Sequence, residues 1–357
     1  MRAALANAAV VGVDTESNSL HAYREQVCLI QFSTREQDYL VDPLAGLNLT
    51  PLGKLFSSSR VVKVFHASEY DIICLRRDFN FEFQNIFDTM QAARILGREK
   101  LSLGDVLERE FGIHLDKHLQ KANWAIRPLP LPLQVYACLD THFLIPLYWR
   151  LEQELRGNGM EVLAQEDFKR LSFSRAGINH KPPYSQVRGY QDLNRRQLAV
   201  LNQLCLYRDE IARRNNIPLF KVLSNEALLE IACQCPRNEQ DLKKIAALPL
   251  GLFERHSKGL LKAVREGMRA EPITRQTHQK PDEEYLARLE RLKSWRKKKA
   301  GELKVLADVI LPKDILEDLT VKNPRDMDSL QVVMASVPWR VERFGREILT
   351  TLQQEDK

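Results

Sequence analysis

Nowhere does this 357-residue chain hold an apolar run long enough for a membrane span, which needs about 18 to 20 consecutive residues. The longest such runs, around Val10 to Val13 and Leu144 to Leu147, are far shorter. A soluble protein with no membrane partner is the expectation. A secretory signal is not expected either, because Met1 to Val13 carries one arginine and reaches Asp14 before an adequate apolar segment has formed. Cysteine is sparse. The six residues at 28, 74, 138, 205, 233 and 235 are scattered, and Cys233 and Cys235 lie too close for an ordinary bridge or a paired-cysteine zinc knuckle. Reduced thiols and a cytoplasmic location follow as expectations. Charge of one sign is not in large excess: 53 Lys and Arg against 47 Asp and Glu leave +6. With 44% hydrophobic and 28% charged residues, chain-wide disorder is excluded, and the length implies two or three domains at roughly 100 to 200 residues each.

The small positive excess is unevenly placed. Residues 1–190 hold 22 basic and 22 acidic side chains, and residues 191–357 hold 31 and 25. The stretch 251–300 is densest, with 14 basic and 7 acidic residues, including the run Arg296 to Lys299. Such a run reads either as a footprint for a phosphate backbone or as a solvated helix face.

The first 150 residues alternate strand and helix patterns, which predicts an α/β domain. Val10 to Glu16, Val27 to Ser33 and Gln37 to Val41 read as an antiparallel meander, and Arg60 to Phe65 as a fourth strand. Helices are predicted near Ser68 to Asp78, Thr89 to Leu96, Ser102 to Phe111, Leu133 to Leu155 and Glu161 to Phe173, with a surface loop from His114 to Pro132. Beyond Tyr190 the pattern is helical and repeats. Leu204, Tyr207, Arg208, Pro236, Arg237, Leu242 and Arg255 recur 88 residues later as Leu292, Trp295, Arg296, Pro324, Arg325, Leu330 and Arg343. LLEIA at Leu228 aligns with ILEDL at Ile315, a one-residue slip, and two copies of one small helical module are indicated.

Several acidic residues could carry chemistry. Asp14 and Glu16 in VVGVDTES share one face of a strand, because alternate side chains point the same way. Two adjacent carboxylates repel unless a cation separates them, and hard divalent ions take such oxygen ligands; a strand running into a polar turn is the alternative. Tyr136 and Asp140, four apart in an apolar-periodic helix, lie one turn apart on one face. There the phenol could orient a water, or the helix could be merely amphipathic. Asp71 lies in the first turn of a predicted helix, where the dipole alone would favour it, with Glu69 as a competitor. Asp88 could equally cap the helix that follows it.

Taken in order, the paired carboxylates, the aspartate about 55 residues later and the Tyr-x-x-x-Asp beyond resemble the DEDDy exonucleases. Within that superfamily the chain is similar to ribonuclease D and its eukaryotic exosome-associated relatives. The likeness is carried by DTESNSLHAYREQVCLIQ (14–31), KVFHASEYDI (63–72), NIFDTMQAARILG (85–97), KHLQKANWAIRPL (117–129) and YACLDTHFLIPLYWRL (136–151). The repeated helical modules resemble the HRDC domains that follow the nuclease domain in bacterial ribonuclease D. Relatives usually have an additional N-terminal segment, so a sheet lacking one edge, or a misassigned start, is one expectation here.

The resemblance implies a ribonuclease H-like (DnaQ-like) α/β exonuclease domain with a mixed sheet over residues 1–175, a linker at 176–192, HRDC-type domains at 193–271 and 284–357, and a second linker at 272–283. It assigns Asp14, Glu16, Asp71 and Asp140 as ligands of two divalent ions, Mg²⁺ or Mn²⁺, with Tyr136 positioning the attacking water. It further implies removal of nucleoside 5′-monophosphates from RNA with a single-stranded 3′ end, tRNA precursors being the expected substrates. Lys117, Gln120, Trp124, Arg127 and His66 are the expected substrate contacts, with Tyr70 beside them. A core plug is the alternative for Trp124 and a satisfied buried histidine for His66. Arg213, Arg214, Lys221 and Arg296 to Lys299 are candidate RNA contacts on the helical modules. A DNA-directed exonuclease and a catalytically silent RNA-binding adaptor are the rival readings.

Overall fold

The computed structural model describes residues 1–116, 118–175, 181–274 and 282–354. Five strands make one mixed sheet: β1 (Val10–Ser17), β2 (Val27–Ser33), β3 (Asp38–Val41), β4 (Val62–Phe65) and β5 (Ile86–Asp88). Their order is β3-β2-β1-β4-β5, so β1 is central with two strands on either side. The expected antiparallel meander is present, and β4 and β5 extend the sheet in parallel from β1. β5 escaped the sequence reading because three residues are too few to display a period of two. All seven residues of β2 are buried, which is why its sequence is nearly continuous in apolar residues.

Eight helices cover this sheet: α1 (Arg2–Asn7), α2 (Thr50–Phe56), α3 (Glu69–Phe79), α4 (Thr89–Ile95), α5 (Leu103–Phe111), α6 (Leu131–His142), α7 (Leu144–Gly157) and α8 (Glu161–Leu171). Alternation along β1 divides the core in two. Val11 and Val13 pack with Leu5, Phe56, Ile72 and Leu75 on the face of α1 to α3. Val10 packs on the other face with Val64, Leu107, Leu144 and Leu147. The helix expected over Leu133 to Leu155 is interrupted at Phe143, where α6 ends and α7 begins. Pro146 accounts for the break: it has no N–H to give to the carbonyl of His142, and its ring crowds that carbonyl.

The helical half repeats with a strict offset. The first module is α9 (Arg195–Asn215), α10 (Leu219–Val222), α11 (Asn225–Gln234), α12 (Glu239–Lys243) and α13 (Leu250–Arg269); the second is α14 (Glu283–Leu303), α15 (Ala307–Ile310), α16 (Lys313–Lys322), α17 (Met327–Val333) and α18 (Pro338–Gln353). The slip expected between LLEIA and ILEDL disappears. Ala227, Leu228, Ile231 and Ala232 are buried in α11, and Ile315, Leu316, Leu319 and Thr320, each 88 residues later, are buried in α16. Left-handed residues close matching helices, Asn216 and Cys235 in one copy and Lys304 and Asn323 in the other. In both copies one arginine ties the long first helix to the next loop. Arg208 donates to the carbonyl of Leu223 at 3.2 Å, and Arg296 donates to that of Leu311 at 3.0 Å.

The described residues form two compact units, 1–17 with 27–175 and 282–354, and 18–26 with 181–274. In the second unit, Tyr23 donates through its hydroxyl to Asp209 at 2.7 Å. Val187 and Leu193 are buried in the first module's core, so packed structure begins within the stretch expected to be a linker. In the first unit, the second helical module shares a core with the α/β fold, Val309 lying among Phe87, Leu163 and Phe168. Arg340 is fully buried there. It pairs with Glu166 and, at 2.9 Å, with Asp167, and it donates to the carbonyl of Val309 at 2.8 Å. Gly97 is required at this junction, because a Cβ there would stand 2.5 Å from the carbonyl oxygen of Lys304 and its φ is +73°.

Candidate active site

Asp14 and Glu16 project from β1 on the face that α6 covers, and α6 brings Tyr136 and Asp140 to them. Close approach depends on Gly12, where a Cβ would lie 2.9 Å from the carbonyl oxygen of Thr141. Ser33 reinforces the seating by donating to the hydroxyl of Thr141 at 2.7 Å. One oxygen from each of Asp14, Glu16 and Asp140 then lies within 4.8 Å of the others. They open into a cleft of about 570 Å³, which Tyr136, His66, Gln120 and Arg94 also line.

Electrostatically this cluster is unfavourable without a cation. Burial, then repulsion from Asp71, Asp140 and Glu16, pushes the carboxyl of Asp14 well above its ordinary range. Burial followed by the charges of Asp140 and Asp71 raises Glu16 to about 9, and burial raises Asp140 to about 7. Gln31 adds a further sign. It is the cross-strand partner of Asp14, and such partners share a face. It is fully buried, and among the described residues its amide nitrogen and oxygen have no hydrogen-bond partner. An all-oxygen set whose members repel one another, beside an unspent amide, fits a hard divalent ion. The signal for Gln31 in the sequence was a lone amide inside the apolar run VCLIQFS.

Asp71 stands apart from the three clustered oxygens. It lies in the first turn of α3 and accepts a hydrogen bond from Thr15. Burial raises it to about 7, with Thr15 opposing the shift and Asp88 adding to it. Glu69 is exposed and outside the cleft. Asp88 caps α4, accepting from Met90 and Gln91 at 2.9 and 3.0 Å, and also accepts from the backbone N–H of Ser68 at 2.7 Å. Tyr136 is half-buried, and its hydroxyl is held above its usual range by burial and by Asp140, Glu16 and Asp14. The phenol therefore stays protonated at neutral pH and is able to donate a hydrogen bond.

The expected substrate contacts divide. Gln120 and His66 line the cleft, and His66 Nδ1 lies 2.8 Å from the hydroxyl of Thr89. Trp124 does not offer a stacking face: it is 1% exposed and packs with Cys28, Leu29, Leu133 and Ala137 beneath the loop. Arg127 is not available to a phosphate, because its guanidinium clasps Asp42 through two bonds of 2.7 Å and donates to the carbonyls of Cys28 and Trp124. Lys117 lies outside the described residues. Tyr70 is half exposed and lines a neighbouring hollow with Ile73 and Leu171. On the helical modules, Arg213, Arg214 and Lys221 are exposed, as are Lys297 and Lys298. Arg296 and Lys299 are engaged instead, Lys299 pairing with Glu302 and Glu347 at 2.9 Å each.

Comparison with known proteins places these features among relatives. Residues 1–156 match a 3′–5′ exonuclease family, and residues 197–264 and 285–352 each match the HRDC domain. The chain is 33% identical to Protein RRP6-like 1 of Arabidopsis thaliana over 75% of its own length and 44% of that protein. It is 30% identical to Ribonuclease D of Nitrobacter hamburgensis over 97% of its length and 91% of the relative's. The crystal structure of the catalytic core of RRP6 from Trypanosoma brucei aligns with a TM-score of 0.67 at 30% identity, covering 76% of this chain and 77% of that one. The chain spans less than half the length of the RRP6-like and exosome relatives that it matches. Among the described residues no helix is long and apolar enough to cross a membrane.

Proposed function

This chain belongs to the ribonuclease D family, and from that premise we propose that it is a 3′–5′ exoribonuclease that trims RNA ends, tRNA precursors among them, in the cytoplasm. One observation carries the reading: three carboxylates from two separate elements converge within 4.8 Å, in a cleft that a protonated tyrosine also lines.

Asp14, Glu16 and Asp140 would hold the divalent ions, Mg²⁺ or Mn²⁺, with Asp71 joining them from α3. When bound, two such ions neutralise the carboxylates and stabilise the charge that passes from attacking to leaving oxygen in phosphodiester hydrolysis. The protein's own groups supply orientation. Tyr136 keeps its proton, so its hydroxyl can hold a water by hydrogen bonding, and the rigid turn shared with Asp140 sets that water's place relative to the metal ligands. Attack at the last phosphodiester would release a nucleoside 5′-monophosphate. Gln120 and His66 would contact the terminal nucleotide from the walls of the cleft.

End-labelled single-stranded RNA and DNA, each incubated with Mg²⁺ or EDTA and resolved by length, test the proposal. Stepwise shortening of RNA from the 3′ end with Mg²⁺ alone is the expected result. Preferential DNA shortening would make the protein a DNA-directed exonuclease, and binding without shortening would make it an adaptor. The complete set of carboxylates with Tyr136 speaks against the adaptor.

A further inference from the structure

The cleft that holds the carboxylates must admit a polyanion, yet its walls are acidic. Asp14, Glu16, Asp116 and Asp140 line it, and among the described residues lining it Arg94 is the one Lys or Arg. Arg94 lies in the last turn of α4. The sequence reading passed over it inside NIFDTMQAARILG, because one arginine in a short helix has no distinguishing spacing.

Arg94 also reaches the second helical module. Its Nη1 pairs with Asp308 of α15 at 2.5 Å, the two side chains being 28% and 43% exposed. A partly exposed pair of this kind contributes little to holding two parts of a fold together. The buried Arg340, with Glu166 and Asp167, already does that work. The pair with Asp308 employs the Nη1 group, and the Arg94 side chain, which lines both the cleft and the adjoining hollow that Asp308 lines, stays 28% exposed. A planar guanidinium steadied through one nitrogen and partly exposed at the wall of a cleft matches the geometry of a phosphate.

We propose that Arg94 is a substrate-binding residue for a backbone phosphate of the RNA strand in the cleft, and that Asp308 of the second helical module is its positioning residue. This rests on the exoribonuclease reading above. The second module then contributes to the active site directly, by fixing the one permanent cation among the described residues of the cleft wall.

The test is steady-state hydrolysis of an end-labelled oligoribonucleotide with Mg²⁺ by the full chain, together with equilibrium binding of the same oligomer in EDTA across a range of salt. Arg94→Gln should raise KM by at least about tenfold with kcat nearly unchanged, and should lower the salt slope of binding by about 0.7, one phosphate contact on a single strand. Asp308→Asn should raise KM by about threefold through a loosened guanidinium. Arg170→Gln, which breaks a pair with Asp314 at the same junction but away from the cleft, should leave both values at wild type. A wild-type KM and salt slope in Arg94→Gln, with only a lowered melting temperature, would overturn the proposal and make Arg94 a structural strap. Should that variant fail to fold, the wild-type protein decides. The oligomer should shield Arg94 from an arginine-specific dicarbonyl reagent, and equal labelling with and without RNA overturns the proposal. Wild-type protein that leaves RNA intact with Mg²⁺ defeats the exoribonuclease reading itself; intact wild-type trimming with no effect at Arg94 defeats this inference alone.

Discussion

Two of the places where the compact unit that holds the nuclease fold withdraws charge from water are built oppositely. At the junction with the second helical module, Arg340 is fully buried but faces Glu166, Asp167 and the carbonyl of Val309. In the cleft, Asp14, Glu16 and Asp140 are gathered against one another, and among the described residues that line it Arg94 is the one Lys or Arg. A satisfied buried charge fixes a structure, since removing one partner strands the other. An unsatisfied set stores repulsion that a bound cation relieves. Charge and burial alike thus mark both a structural joint and a functional site, and only the sign of the neighbours separates them.

Asp14→Asn is the sharpest way to test that contrast. Hydrolysis should fall by at least about 10³-fold, ~4 kcal/mol of barrier, while RNA binding persists. In EDTA the same variant should melt above wild type, because a repelling charge is gone. Turnover near the wild-type rate would remove Asp14 from the site.

At the other place the sign should reverse. Arg340→Ala leaves Glu166 buried without its cation and should destabilise the fold by about 3 to 5 kcal/mol in denaturant titration. The matching position in the first module is Leu252, half-buried, whose truncation to alanine should cost less than about 2 kcal/mol. Equal losses at the two positions would break the distinction between the modules.

Tyr136→Phe should slow hydrolysis by roughly 10²-fold, ~2.7 kcal/mol, with little change in stability. Unchanged kinetics would leave the ring as a packing partner of Trp124, 6.0 Å away.

The smallest expected effect is on pH dependence. Glu16 at about 9 and Asp71 and Asp140 at about 7 in the folded chain lie above the ordinary carboxylate value of about 4. The folded state therefore binds these protons more tightly than the unfolded chain. Their contribution is fully present below about pH 4 and is lost as pH rises toward about 9. In EDTA the melting temperature should fall by a few degrees across that window, and Mg²⁺ should restore it at the alkaline end. A flat profile in EDTA would show that the carboxylates do not repel as their packing requires.

Much of this site was legible from spacing. Asp14 and Glu16 share a face because a strand has a period of two, and Tyr136 and Asp140 share one because a helix turns in about four residues. Those relations are local, so they survive whatever the rest of the chain does. The repeat of the helical modules was legible for the same reason, although its single slip vanished once α11 and α16 were seen to bury residues 88 apart. Pro146, by contrast, was visible in the sequence but was outweighed by the apolar periodicity on either side of it.

Other roles depend on neighbours that no spacing encodes. Arg127 reads as a phosphate ligand until Asp42, 85 residues earlier, occupies its guanidinium. Trp124 reads as a stacking surface until Cys28 and Leu133 close over it. Gly12 is an ordinary strand glycine until α6 arrives 2.9 Å from where its Cβ would be, and Arg94 is an ordinary helix residue until Asp308, 214 positions away, meets it. Local periodicity sets which side chains share a face, because backbone geometry repeats within a few residues. Which face meets which, and so whether a charge becomes a joint or a site, is decided by packing between elements distant in the chain, where burial and the sign of the nearest charge outweigh local preference.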